Sequence, residues 1–126
     1  MLSMIGRKGR GQAGGWIQLL ILRLVFEQPL HGYALNERVN GLLAGRRPLS
    51  SGSIYTILRR MEKAGFLDSD WDESSSRLNR RVYRLTDMGM EKLKEGYLRV
   101  ENQKKILDEM SSFYEEHFPE LLSSYD

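Results

Sequence analysis

The feature that most constrains this chain is the stretch from Thr86 to His117, which reads as one helix too long for the rest of the molecule to cover. Thr86 suits the N-cap, because its hydroxyl can accept from a free amide of the first turn. Asp87 sits where the helix dipole favours an acid, and Pro119 stops the helix near His117. About 30 residues of helix are about 45 Å long. The apolar positions Met90, Leu93, Tyr97, Val100, Leu107, Met110 and Tyr114 recur at steps of 3, 4, 3, 7, 3 and 4, an a/d heptad with Lys104 in the one polar seam position. Lys104 either sets the register or snorkels out of the seam. Gly96 weakens the middle by about 1 kcal/mol relative to alanine. The whole chain has 126 residues, one domain's worth, so such a helix is expected to lay its seam on a partner chain.

Upstream, the sharpest local signal runs from Ser50 to Ala64. Ser50 is an N-cap candidate, and Leu49 and Ile54 stand where a hydrophobic staple packs. Ile54, Ile57, Leu58 and Met61 fall at i, i+3, i+4 and i+7 and form one apolar stripe, and Gly65 closes the helix. The opposite face offers Ser51, Ser53, Tyr55, Thr56, Arg59, Arg60 and Lys63, with Glu62 as its only acid. From Trp16 to Phe26 nearly every position is apolar, and Gln28-Pro29 ends the run, so a helix covered on two sides is expected there, with Trp16 and Leu20 candidates for a partner-facing side. His31 to Leu43 is the next helix, with Leu35, Val39 and Leu42 on its inner face and His31 a structural residue beside Tyr33. Phe66–Trp71 and Val82–Leu85 read as strands of a hairpin whose serine-rich connection carries Arg77, Arg80 and Arg81 on its return side.

Charge separates the chain into two parts. Residues 1–85 hold 14 Lys+Arg against 7 Asp+Glu, whereas residues 86–126 hold 5 against 10. A basic block joined to an acidic one fits a polyanion-binding part followed by a part with a different task. Cysteine is absent, which removes disulfides, cysteine zinc sites and thiol nucleophiles. The two histidines stand 86 positions apart and do not form a metal motif, and no nucleophile elbow, phosphate loop or dinucleotide fingerprint occurs. An enzyme is therefore not expected, nor a metal or cofactor. No apolar run is long enough to span a bilayer, and no signal sequence is evident, so a soluble cytoplasmic protein is expected.

The order of elements predicts a mainly α chain with a small β-hairpin: a winged helix-turn-helix followed by a long C-terminal dimerisation helix. The expected boundaries are a flexible basic arm at 1–14, the winged helix-turn-helix at 15–86, the dimerisation helix at 87–118 and a tail at 119–126. In such a unit the third helix enters the major groove and the preceding helix supports it. Ser51, Ser53, Tyr55 and Thr56 then stand near base edges, Ser50, Arg59, Arg60 and Lys63 complete the DNA-facing side of that helix, and Arg77, Arg80 and Arg81 reach phosphates or the adjacent minor groove. The expected dimer interface comprises Trp16, Leu20, Met90, Leu93, Tyr97, Val100, Leu107, Met110 and Tyr114. The competing reading is a winged-helix module that binds protein inside a larger assembly. The cations of the third helix weigh against it.

The residues Pro29-Leu30-His31-Gly32-Tyr33, Leu49-Ser50-Ser51-Gly52-Ser53-Ile54-Tyr55, Leu58-Arg59-Arg60-Met61-Glu62, Gly65-Phe66-Leu67 and Tyr83-Arg84-Leu85-Thr86, with Gly89, resemble the PadR family of transcriptional regulators, in order and over roughly residues 15–115. The resemblance is to the small branch with a single C-terminal helix. It implies a homodimeric repressor acting on an inverted-repeat operator in double-stranded DNA, released by an aromatic or lipophilic effector. Thr56 departs from the proline frequent in the family, and Met61 from leucine. The terminal helix lacks the tryptophan that some relatives use to stack flat ligands, so Tyr97 and Trp16 are the effector-pocket candidates.

Overall fold

The computed structural model describes residues 2–43, 47–74 and 81–124, with side chains described from residue 15 to residue 123 within these spans. The elements are α1 (Leu2–Glu27), β1 (Leu30–His31), α2 (Gly32–Leu42), α3 (Ser51–Lys63), β2 (Leu67–Trp71), β3 (Arg81–Leu85), α4 (Asp87–His117) and a terminal 3-10 helix (Pro119–Ser124). Two compact units divide the chain, 1–93 and 94–126.

In the N-terminal unit, α2 packs on α1 and α3, α1 also meets β3, and α3 also meets β2. The core comprises Ile21, Leu22, Leu24 and Val25 of α1, Leu35 and Val39 of α2, Ile54, Leu58 and Met61 of α3, with Leu67 and Tyr83 from the sheet. Each of these larger aliphatic side chains contributes about 1.5–3 kcal/mol by leaving water. The predicted stripe of α3 is thus its buried side, with Ile57 and Leu49 half-buried against the same cluster. Leu42, expected on the inner face of α2, is instead 44% exposed; α2 ends at that residue, and it is the next one, Leu43, that packs against the core.

The sheet has three strands rather than the two of a simple hairpin, in the order β1-β3-β2. Strand β2 pairs antiparallel with β3, Ser69 opposite Tyr83 and Trp71 opposite Arg81. On the other edge of β3, Leu30 and His31 pair with Tyr83 and Val82. A two-residue strand has no periodicity to read, and the sequence predicts a helix start at His31. The residue is instead the extended N-cap of α2, stacked on Tyr33 with ring centroids 5.1 Å apart.

Helix ends follow local chemistry. Ser50 caps α3 by accepting from the Ser53 amide at 3.2 Å. At the other end Phe66 N donates to Met61 O at 2.9 Å and Gly65 N donates to Glu62 O at 3.0 Å, the Schellman pattern, with Gly65 at φ +91° where a β-carbon would be strained. Thr86 caps α4, accepting from Gly89 N at 2.9 Å while its hydroxyl donates to Gly65 O at 2.6 Å. One side chain therefore joins the end of α3 to the start of α4.

One boundary differs from expectation. The sequence predicts an arm over 1–14, but α1 starts at Leu2. Once Trp16–Glu27 is packed, each residue added at the N-terminus gains a hydrogen bond without a new nucleation cost, and no proline interrupts the span. The tail after Pro119 forms a 3-10 helix through Ser124. None of the described helices is long and apolar enough to cross a membrane.

Helix α4 is continuous through 117 as predicted, but its contributions differ along its length. Leu93 packs against the core of the N-terminal unit, as does Leu20, so both of these interface candidates are at least partly used within their own unit. Met90 and Trp16 are half-buried. In the unit 94–126 no described side chain is buried. Tyr97, Val100, Leu107, Met110 and Tyr114 are all exposed, Tyr97 by 65%.

Candidate nucleic-acid interface

The site is built on α3, and its orientation is set before the helix begins. The Asn40 side chain acts as a surrogate peptide: its Oδ1 accepts from Leu49 N at 2.8 Å and its Nδ2 donates to Leu49 O at 3.1 Å. This paired bond ties α2 to the residue just ahead of the Ser50 cap. Nothing in the sequence marks Asn40 for this role, since its partner is nine positions away and its neighbours Asn36 and Glu37 are equally polar.

Along the open side of α3 the predicted residues divide. Ser51 and Ser53 are exposed at the first turn, and Arg59, Arg60 and Lys63 are exposed further along. Ser50 is exposed too, but its oxygen is engaged by the cap, and its hydroxyl donates to Ser53 Oγ at 3.0 Å. Thr56 donates to Gly52 O at 2.9 Å and accepts from Arg59 Nη2 at 3.3 Å, so its hydroxyl orients the Arg59 guanidinium. Tyr55 is placed differently from the expectation. Its ring lies against Gly32, so close that a β-carbon there would come within 2.3 Å of Tyr55 Cε1, and the residue packs on the core. Glycine at position 32 is what admits the ring.

Opposite α3 stands the face of the β2–β3 ladder that carries Ser69, Trp71, Arg81 and Tyr83. Between them lies a groove of about 520 Å³ lined by Arg59, Glu62, Lys63, Arg81 and Tyr83. Three cations face one carboxylate there, a field that favours an anion. Glu62 is half-buried and accepts from Ser69 Oγ at 2.8 Å. Burial pushes the Tyr83 phenol above its ordinary value, and the Glu62 charge adds to the shift. On the other face of the ladder Arg84 is paired with Asp70 at the surface. Arg77 and Arg80, also expected at phosphates, lie outside the described residues.

At the start of the wing, the Asp72 carboxylate gathers the Ser74 hydroxyl, the Ser74 amide at 3.1 Å and His31 Nε2 at 2.8 Å. The Ser74 hydroxyl first and the His31 ring second hold this carboxyl below its usual range. His31 is thus the structural residue that the sequence suggests, with an added partner 41 positions away that spacing does not reveal. Among the described residues no group of three or more His, Asp or Glu side chains is arranged to hold a metal ion.

The fold recurs in solved structures. A Thermoplasma acidophilum protein described as a transcriptional regulator is 31% identical and superposes with a TM-score of 0.69 over 79% of this chain and 94% of its own. A PadR family transcription regulator from Clostridium difficile R20291 is 24% identical, with a TM-score of 0.64 over 75% of this chain and 97% of its own. PadR of Bacillus subtilis, solved in complex with operator DNA, is 24% identical with a TM-score of 0.54, over 62% of this chain and 44% of its own. The model of the PadR-like family of transcriptional regulators matches residues 21–95, from the core of α1 through the sheet into α4. The chain therefore belongs to the PadR-like family, as a transcriptional regulator and not an enzyme.

Proposed function

We propose that this regulator acts as a homodimer that binds duplex DNA sequence-specifically, with one α3 in each of two successive major-groove segments. The observation that carries the reading is the open side of α3: Arg59, Arg60 and Lys63 are exposed, Arg81 stands across the groove, and the single acid, Glu62, is engaged by Ser69. Ser51 and Ser53, exposed at the first turn, are the base-edge candidates, and the arginines and Lys63 are the phosphate candidates. Tyr55, half-buried against Gly32, and Thr56, half-buried one position on, complete the residues proposed for base readout. That PadR of Bacillus subtilis was solved in complex with operator DNA supports DNA binding by a related fold.

The second copy is the occupant proposed for the seam of α4. Tyr97, Val100, Leu107, Met110 and Tyr114 keep the heptad spacing and are exposed in a single chain. Burying such a seam against its counterpart offsets the ordering cost of a long helix. Two α3 helices related by a twofold then read half-sites of an inverted repeat about 34 Å apart. Repression, and release by an aromatic or lipophilic effector, complete the reading on the strength of the family resemblance. Trp16, half-buried, and Tyr97, exposed, are the rings to test for that effector.

The decisive experiment is selection of bound duplexes from a random pool. A palindromic motif with half-sites one turn apart is the expected result; an unstructured pool after repeated rounds refutes sequence-specific binding. Mass in solution tests the dimer, and truncation after Gly96 should leave a monomer that binds weakly. A tightly binding truncate refutes the role given to the seam.

A further inference from the structure

Glu62 is out of place on a face that binds a polyanion, and its surroundings give it a use. Ser69 Oγ donates to Glu62 Oε1 at 2.8 Å and accepts from Arg81 Nη1 at 2.8 Å. The direction of this relay is fixed by chemistry. A guanidinium only donates and a carboxylate only accepts, so the one hydroxyl proton of Ser69 must point at Glu62, leaving its lone pairs for Arg81. The far side of the arginine is held as well, with Cζ 4.6 Å from the centroid of the Trp71 ring. The β2–β3 register puts Arg81 opposite Trp71 and Ser69 opposite Tyr83, so all four side chains share the face turned to α3.

The two arginines of β3 contrast instructively. Arg84 is neutralised directly by Asp70 on the outer face. Arg81 forms no ion pair among the described residues; a neutral hydroxyl stands between it and Glu62. The relay orients the guanidinium without cancelling its charge, and the cation stays in the groove it shares with Arg59 and Lys63.

We propose that Glu62, acting through Ser69, is a positioning residue that presents Arg81 to a backbone phosphate of the bound duplex, seated between α3 and the β2–β3 face. The inference rests on the DNA-binding reading and adds to it a function for two residues, Glu62 and Ser69, that do not touch the nucleic acid themselves.

The test is fluorescence anisotropy of the full-length chain on a labelled mixed-sequence duplex, over a salt series, which requires no knowledge of the operator. Arg81→Ala should flatten the dependence of log K on log salt by about 0.9 for each phosphate that the guanidinium neutralises. Ser69→Ala should weaken binding about five- to tenfold, as expected for one misdirected charge-assisted hydrogen bond, with its melting curve confirming a folded chain. Ser69→Thr, which keeps the hydroxyl on a strand, should restore parental binding. In an Arg81→Ala background, Ser69→Ala should have no further effect on affinity. A parent that binds while Ser69→Ala binds identically overturns this inference alone, as do effects of Ser69→Ala and Arg81→Ala that simply add. A parent indifferent to the duplex at low salt overturns the DNA-binding reading and this inference together.

Discussion

Gly89→Ala tests whether the junction of α3, the sheet and α4 is as closely fitted as the structure indicates. A β-carbon at position 89 would lie 2.1 Å from the Phe66 carbonyl oxygen, 2.7 Å from Leu85 Cδ1 and 3.1 Å from the Phe66 carbonyl carbon. An ordinary carbon–oxygen contact is about 3.3 Å, so the backbone at Phe66 must retreat by about 1 Å. It is not free to do so. Phe66 N is bonded to Met61 O at the end of α3, Phe66 O accepts from Thr86 N at 3.3 Å, and Thr86 Oγ1 holds the neighbouring Gly65 O. Overpacking of a fitted interior costs about 1–3 kcal/mol, and each of two junction bonds put at risk adds about 1 kcal/mol. Alanine returns about 1 kcal/mol of helix propensity. The expected net loss is about 2–4 kcal/mol, a fall in melting temperature on the order of 10–25 °C for a domain of this size. Thermal and urea melts followed by circular dichroism measure it, with Gly41→Ala as the control. Nothing lies within 4 Å of a β-carbon at position 41, so that variant should be as stable as the parent or more so by up to about 1 kcal/mol. If Gly89→Ala melts with the parent, the close approach of α4 to Phe66 does not limit stability and the argument fails.

Asn40→Ala should cost about 2 kcal/mol by leaving both polar groups of Leu49 without their partner, and should weaken DNA binding beyond that of Asn40→Asp, which keeps one acceptor; equal urea midpoints for parent and alanine variant would dismiss the tie. Asp72 has a carboxyl pKa lowered on folding, so its stabilising contribution is complete above the unfolded value of 3.8 and is lost as pH falls through the lower folded value. Urea midpoints of the parent and Asp72→Asn should therefore differ by a constant amount near neutrality and converge below about pH 4; a gap that persists in acid contradicts the assignment. Ser50→Ala should destabilise by about 1 kcal/mol through loss of the α3 cap, and Ser50→Asp should recover most of it; no recovery would mean the oxygen serves something other than the Ser53 amide.

How much of the molecule is legible in its sequence depends on the range of the interaction. Caps and stripes are written in consecutive residues, and the expected roles of Ser50, Gly65 and Thr86, the apolar face of α3 and the extent of α4 all reappear in the structure. Strand β1 is not legible because two residues carry no alternation, and it exists through pairing with β3, some 50 positions later. The site is half legible. Residue type and periodicity put Arg59, Arg60 and Lys63 on the open side, but the same periodicity puts Tyr55 there, and only the fold brings Gly32 beneath its ring. Asn40–Leu49, His31–Asp72 and Glu62–Ser69–Arg81 join residues 9, 41, 7 and 12 positions apart, with no local pattern that marks one partner for the other. Nothing short of the tertiary arrangement selects among them.

The exposed seam of α4 has a consequence for dosage. In the proposed homodimer, a C-terminal unit with no buried side chain among its described residues is ordered at the expense of wetted apolar rings until a mate arrives, so below the dimer dissociation constant pairing scales with the square of chain abundance. A halving of expression would then remove more than half of the molecules able to grip both arms of a palindrome, and a gene under such control would respond to protein level more steeply than a one-to-one encounter allows.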